Sequence, residues 1–364
     1  MRWLKRIGVF ILAVIALPGL FLAWHLYSNV PVTTEEVLRD DEEEQAARAA
    51  RNFIGVIKET MGEYASRGAH AKGHACVKAW FTVDDEIEAS LRHGIFSVPG
   101  QSYKSWIRFS NGASNLARSD DRRNDSRGMA IKLIGLQQDK EEKVVQVQDF
   151  LMHNNPVFFS ANVEDYNRLV ESENKILSFL DSPNPFKWRL RELQHVFDTL
   201  AEPPQSPLAD DYFSNTAYKL GPHNIKFSSR PCSASKGFAT DIKRGPDFLS
   251  ETMARELTTG SGCFDFMVQL QDPNKYMPIE DPSIEWKEKD SPWIKIARVD
   301  IPGQEFTSAS QKQFCENLSF TPWNSLDAHR PIGQLNRIRK KVYEASSRFR
   351  HASNKTEVPL DLDW

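Results

Sequence analysis

From Ala75 to Val83 the odd positions, Ala75, Val77, Ala79, Phe81 and Val83, are apolar, while the even ones are mixed. This two-residue period predicts a strand with one face on a core. Ser105-Trp-Ile-Arg-Phe-Ser110 alternates in the same way and places Trp106, Arg108 and Ser110 on one face, before a turn at Asn111-Gly112. Further strands are predicted at Met129–Ile134, Val144–Met152, Asn224–Phe227, Cys263–Leu270 and Trp293–Val299. Short strands separated by turn signals point to a barrel or a sandwich.

The period changes to that of a helix in two places. Ala46, Ala49, Ala50, Phe53, Ile54, Ile57 and Met61 recur at helical spacing in an acidic stretch that runs to about Tyr64. Thr33 and Glu36 have the spacing of a capping box at its start. Near the other end, Leu335, Ile338, Val342 and Ala345 form one stripe of a helix over Gln334–Phe349. Between them, Tyr166 to Tyr218 reads as helices and irregular chain punctuated by prolines.

The N-terminus has its own pattern. Arg2, Lys5 and Arg6 precede an apolar run from Gly8 to about Tyr27, interrupted only by Pro18 and His25. About twenty such residues suffice to cross a bilayer, with the positive flank on the cytoplasmic side. An uncleaved anchor is favoured over a signal peptide, since no small-x-small cleavage site follows. The rest of the chain is then expected outside the cytoplasm, on the inner membrane and facing the periplasm of a bacterial-type cell.

A net charge of −3 over 364 residues shows no nucleic-acid footprint. The four cysteines, Cys76, Cys232, Cys263 and Cys315, have neither zinc nor c-type haem spacing. An oxidising compartment would permit up to two disulfides, which sequence cannot pair, and buried thiols are an equal alternative.

The candidate chemistry gathers in two stretches. Arg67-Gly-Ala-His70-Ala-Lys-Gly73 puts an arginine and a histidine where a loop feeds the first strand. In the last helix Arg339 and Tyr343 are four apart and project from one face. A basic partner favours tyrosinate over phenol, and tyrosinate is a hard anionic ligand for ferric iron.

The order of motifs resembles the haem catalase family over most of residues 60–350. Arg67-x-x-His70 is similar to the segment carrying that family's distal histidine, and Arg108-Phe-Ser110 to its Arg-Phe-Ser strand. Asn124-Asp-Ser-Arg127-Gly128 resembles its Arg-Asp-Pro-Arg-Gly loop. Gln148 to Phe159 resembles the strand ending in Asn-Asn-Thr-Pro-x-Phe-Phe, and Arg339-x-x-x-Tyr343-x-x-x-x-Arg348-x-Arg350 matches the proximal-ligand spacing.

The resemblance implies an α+β fold: an antiparallel β-barrel of about eight strands with surrounding helices and a buried haem, presumed to be of the b type. His70 would be the distal acid–base, oriented by Ser110. Tyr343 would ligate the iron with Arg339 beside it, and Arg67, Arg108 and Arg350 would neutralise the haem propionates. Phe158 and Tyr166 would lie against the haem. An ungapped alignment puts His153 at the family's distal asparagine, where it would act as a second distal base, while a bulge would bring Asn154 into the asparagine's role. Ala69 stands where the family usually has a larger residue, and the long C-terminal segments of typical catalases are absent.

The expected organisation is an anchor over residues 1–30, an acidic helical spacer over 31–65, a haem domain over 66–352 and a tail over 353–364. Within the domain, the barrel would end near 300 and the proximal part would follow. The expected activity is haem-dependent cleavage of hydrogen peroxide or an organic hydroperoxide, in a response to oxidative stress. The partners would be the peroxide, the membrane through the N-terminal helix and, with oligomeric state left open, a second copy of the chain. A hydroperoxide isomerase or lyase of the allene-oxide-synthase type, or a non-catalytic catalase-fold protein that binds haem or another ligand, is the alternative.

Overall fold

A computed structural model describes residues 18–26, 33–116, 119–136, 147–200, 202–232 and 244–364. Nine antiparallel strands form its sheet. They are β1 (Gly73–Val83), β2 (Ser102–Asn111), β3 (Arg127–Leu133), β4 (Gln148–His153), β5 (Tyr212–Phe213), β6 (Tyr218–Leu220), β7 (His223–Pro231), β8 (Gly262–Leu270) and β9 (Ile294–Ile301). The order is β5-β4-β3-β2-β1-β9-β8-β7-β6, and β5 also pairs with β7. That last pairing, Tyr212 with Ser229 and Phe213 with Ser228, closes eight strands into a barrel and leaves β6 as a flap on β7. Closure removes the open sheet edges.

The alternation seen in the sequence decides which side chains fill the barrel. Val77, Phe81, Ile107, Phe109, Ile131, Phe150, Phe227, Phe266 and Val299 meet in one buried core. The intervening positions face outward and are covered by helices. On β2 these are Trp106, Arg108 and Ser110, as the alternation predicts, and all three are buried by what packs over them. Cys76 and Trp106 pack with Cys315 and Leu318 of the segment that follows the barrel. A disulfide joins Cys76 to Cys315, and a second joins Cys232 to Cys263.

Among the described residues, besides the helical residues 18–26, the α-helices are α1 (Glu42–Thr60), α2 (Val163–Glu171), α3 (Leu190–Thr199), α4 (Phe248–Thr259), α5 (Ala309–Asn317) and α6 (Gln334–Asn354). Ala46, Ala49 and Ala50 of α1 pack on Leu335, Ile338 and Val342 of α6 and on Val163 of α2. The small alanines let the two long helices approach closely, and Glu42 accepts hydrogen bonds from Arg337 across the contact. The acidic segment is thus packed onto the body of the protein.

Three expectations need correction. The capping box at Thr33 starts no helix, because α1 begins at Glu42. Glu36 instead accepts from Arg330, Arg337 and the Gly333 backbone N–H, so its charge serves the start of α6. The alternation did not predict α4, which buries Phe248, Leu249, Met253 and Leu257. The last helix runs five residues beyond the predicted Phe349, to Asn354. The apolar run of residues 8–27 falls mostly outside the described residues. Among the described residues no helix is long and apolar enough to cross a membrane.

Candidate functional site

A cleft of about 120 Å³ lies between the outer face of the barrel and α6. Its floor is made from outward-facing strand positions, Arg108 and Ser110 of β2, Gly128 and Ala130 of β3, and Leu151 and His153 of β4. Arg339, Tyr343, Ser346 and Arg350 of α6 line it at helical spacing. The segment Leu318–Phe320 completes the lining. Asp149 holds that segment in place by accepting from the Thr321 N–H and from Asn324 Nδ2, while Lys132 supplies its counter-charge at 2.6 Å.

His70 enters the cleft from the loop before β1. Its backbone has φ of 54°, an unusual conformation that histidine tolerates better than most residues. The His70 N–H donates to the Gly112 carbonyl at 3.0 Å, and Arg108 donates to the His70 carbonyl at 2.9 Å. The loop is therefore fixed on both sides of the ring. Nδ1 of His70 lies 3.1 Å from Ser110 Oγ, and Nε2 lies 3.2 Å from Nε2 of His153. Burial, helped by His153 and Arg108, pushes the His70 pKa well below the usual histidine value. Burial and Arg339 push His153 down to about 4. Both rings are neutral at pH 7.

In α6, Arg339 donates to the Tyr343 hydroxyl at 3.0 Å, to Tyr218 at 3.3 Å and to Asn336 Oδ1 at 3.0 Å. Burial opposes its charge, but the Tyr343 and Tyr218 hydroxyls outweigh that and raise its pKa. Tyr166 is pushed up to about 12 by burial and by Tyr343, so it stays a phenol. Phe158 and Tyr166 pack beside Tyr343 in the cluster that joins α1 to α6 and do not themselves line the cleft.

Arg67, Arg108 and Arg350 come together at the edge of the cleft, around Glu316. Arg67 is paired with the Glu316 carboxylate, Arg108 lies 3.5 Å from it, and Arg350 donates to the Glu316 carbonyl at 3.2 Å. Burial works against the Glu316 charge, but the three guanidiniums hold its pKa below the usual carboxylate value. Burial lowers Arg108 to about 9 and Arg350 to about 10. Three cations thus share one carboxylate, and Arg108 Nε is buried without a hydrogen-bond partner. Three guanidiniums and one carboxylate leave the cluster with a formal net charge of +2.

The sequence candidates His70, Ser110, His153, Arg67, Arg108, Arg339, Tyr343 and Arg350 all line this one cleft. Asn154 does not. Its Oδ1 accepts from the Arg127 N–H at 2.9 Å and its own N–H donates back to the Arg127 carbonyl, which ties it to the end of β3. Two contributors carried no signal of their own. Glu316 is one acidic residue in an ordinary helical turn. Gly128 acts by what it lacks, because a Cβ there would meet the His70 ring.

Residues 59–204 match the catalase family model. A catalase-related peroxidase from Mycolicibacterium paratuberculosis is 24% identical over 309 residues, covering 82% of this chain and 93% of that protein. A fungal catalase superposes with a TM-score of 0.64 at 16% identity, over 92% of this chain and 68% of that one. Catalase A from Saccharomyces cerevisiae gives 0.62 at 16% identity, over 92% and 74%. A bacterial catalase gives 0.62 at 17%, over 93% and 67%.

Proposed function

The chain belongs to a catalase-related family, and on that premise we propose that it is a haem-dependent enzyme that cleaves the O–O bond of hydrogen peroxide or an organic hydroperoxide. The observation that carries the reading is the meeting in one cleft of His70, Tyr343 with Arg339 on its hydroxyl, and a cation cluster short of two anions. A flat dianionic prosthetic group fits those residues. Tyr343 would hold the iron through its phenol oxygen, and Arg67, Arg108 and Arg350 would take the two carboxylates in charge-assisted pairs. Haem supplies the redox chemistry that no side chain of the cleft provides.

The chain's own residues handle the proton. Neutral His70, with Nδ1 engaged by Ser110, presents Nε2 to the cleft as an acceptor or a donor. It can take the hydroperoxide proton and return it to the leaving oxygen. Ala69 adds little bulk to the lining, which suits an organic hydroperoxide as well as hydrogen peroxide.

The test is turnover by the full chain supplied with haem. Hydrogen peroxide should release oxygen or oxidise an added phenolic donor, cumene hydroperoxide should be reduced with the donor, and His70→Ala should lower both by roughly a hundredfold or more. Consumption of a fatty-acid hydroperoxide with neither oxygen nor donor oxidation would favour an isomerase instead.

We further propose export of this domain, anchored at the inner membrane and facing the periplasm. The pairing of all four cysteines supports an oxidising compartment, and the basic residues before the apolar run support retention of the N-terminus inside. Alkylation of intact cells with a membrane-impermeant reagent after reduction should label the cysteines. Labelling only after lysis would contradict this placement.

A further inference from the structure

Ser110, Gly128 and His153 are Cα partners in one row across β2, β3 and β4, and their side-chain positions all face the cleft. The His70 ring lies across that row. It contacts Ser110 at one end and His153 at the other, and passes over Gly128, the one position without a side chain. The two imidazoles meet edge to face, with centroids 4.7 Å apart and planes 83° apart. The sheet register therefore builds the contact between the histidines.

Two neutral imidazoles that face each other through Nε2 hold one proton and one lone pair between them. Ser110 Oγ can donate to His70 Nδ1 or accept from it, so either ring can carry the shared proton. The charged groups acting on the pair are Arg108 from β2, on His70, and Arg339 from α6, on both rings. Each disfavours a second proton, which keeps one acceptor free.

We propose that His153 is a second acid–base residue that shares one proton with His70, so that a hydroperoxide bound against the two facing Nε2 atoms is deprotonated by one ring and protonated on its leaving oxygen by the other. The O–H bond of the hydroperoxide breaks as one N–H bond forms, and the second N–H bond breaks as the leaving oxygen gains its hydrogen. The proton gained by the first ring then crosses the 3.2 Å contact between the two Nε2 atoms to the second, so both rings end as the neutral imidazoles they began as. No outside acid or base is needed. A single histidine must turn or move its proton between the two oxygens, whereas the pair reaches both at once. This inference rests on the peroxide reading above; the electron balance of O–O cleavage belongs to that reading and is unchanged by it.

The test has two arms on the full chain. In the first, ¹⁵N-histidine-labelled protein without haem is titrated by NMR, and His153→Asn should shift the tautomer balance of His70 and raise its pKa. In the second, the haem-loaded chain is assayed with cumene hydroperoxide. His70→Ala should retain about tenfold more rate than His70→Ala with His153→Asn, because His153 still serves as a base. His153→Phe alone should lower kcat/KM on the order of a hundredfold, mainly in kcat. Imidazole signals of His70 that ignore the loss of His153, or equal rates in the single and double variants, would overturn the proposal. A haem-loaded wild type that cleaves no peroxide would overturn the functional reading, and the role of His153 with it. The NMR arm identifies that failure separately, since it needs neither haem nor peroxide.

Discussion

The ring of His70 passes so close over Gly128 that a Cβ at position 128 would stand 2.6 Å from its Nδ1. Ser110 Oγ would be 3.0 Å from the same carbon. Gly128→Ala should therefore push the imidazole off Ser110 while the strand, which tolerates alanine, stays paired. The expected result is an unchanged far-UV circular dichroism spectrum with peroxide turnover lowered on the order of a hundredfold, the cost of a misplacement of about 1 Å. Full activity in this variant would mean that the contact between His70 and Ser110 does not matter.

Glu316 is the carboxylate that Arg67 and Arg108 share without haem. Its removal in Glu316→Gln leaves buried guanidiniums without a counter-ion, which should cost roughly 2–3 kcal/mol of stability. If two haem carboxylates sit in the same cluster, added haem should recover most of that loss. Denaturant melts of wild type and variant, with and without haem, measure both effects. A loss of the same size in both states would place the haem carboxylates elsewhere.

Acid should unfold the haem-free protein through its histidines. Burial pushes His74 down to about 3, and His153 and His329 down to about 4, from the ordinary 6.5. Below 6.5 the unfolded chain binds protons that the folded chain refuses, so stability that is complete above that pH is lost as pH falls toward 4. Glu192, Glu256 and Asp210, raised by burial to about 8, about 7 and about 6, act with the opposite sign and cost stability as pH rises. Thermal melts should show Tm falling from pH 6.5 to 4.5, and falling more steeply in Glu192→Gln. A Tm that rises over this interval would contradict the neutral, buried state of these histidines.

Much of the barrel was legible because its strands alternate, and alternation follows from having one face on a core. The alternation of β2 placed Arg108 and Ser110 together on the outer face, where the cleft lies. The same rule separates His153 from Asn154. Neighbours in a strand point to opposite faces, so once the register puts His153 beside His70, Asn154 must turn away, and it binds the Arg127 backbone instead. What sequence hid was set by distant partners. Thr33 and Glu36 have the spacing of a cap, yet Glu36 pairs with arginines some 300 positions away. Cys76 and Cys315 are 239 residues apart and nothing local pairs them. Glu316 gains its meaning only from three arginines on separate elements.

Tyr343, with Arg339 on its hydroxyl at 3.0 Å, is the residue that would hold a haem iron in this cleft. The most direct test of that role is the absorption spectrum of the full chain expressed with a supply of haem, beside Tyr343→Phe. The wild type should show a Soret band with the high-spin ferric pattern of tyrosine ligation, lost or shifted in the variant. A well-folded wild type that takes up no haem, or a spectrum that Tyr343→Phe leaves unchanged, would contradict it.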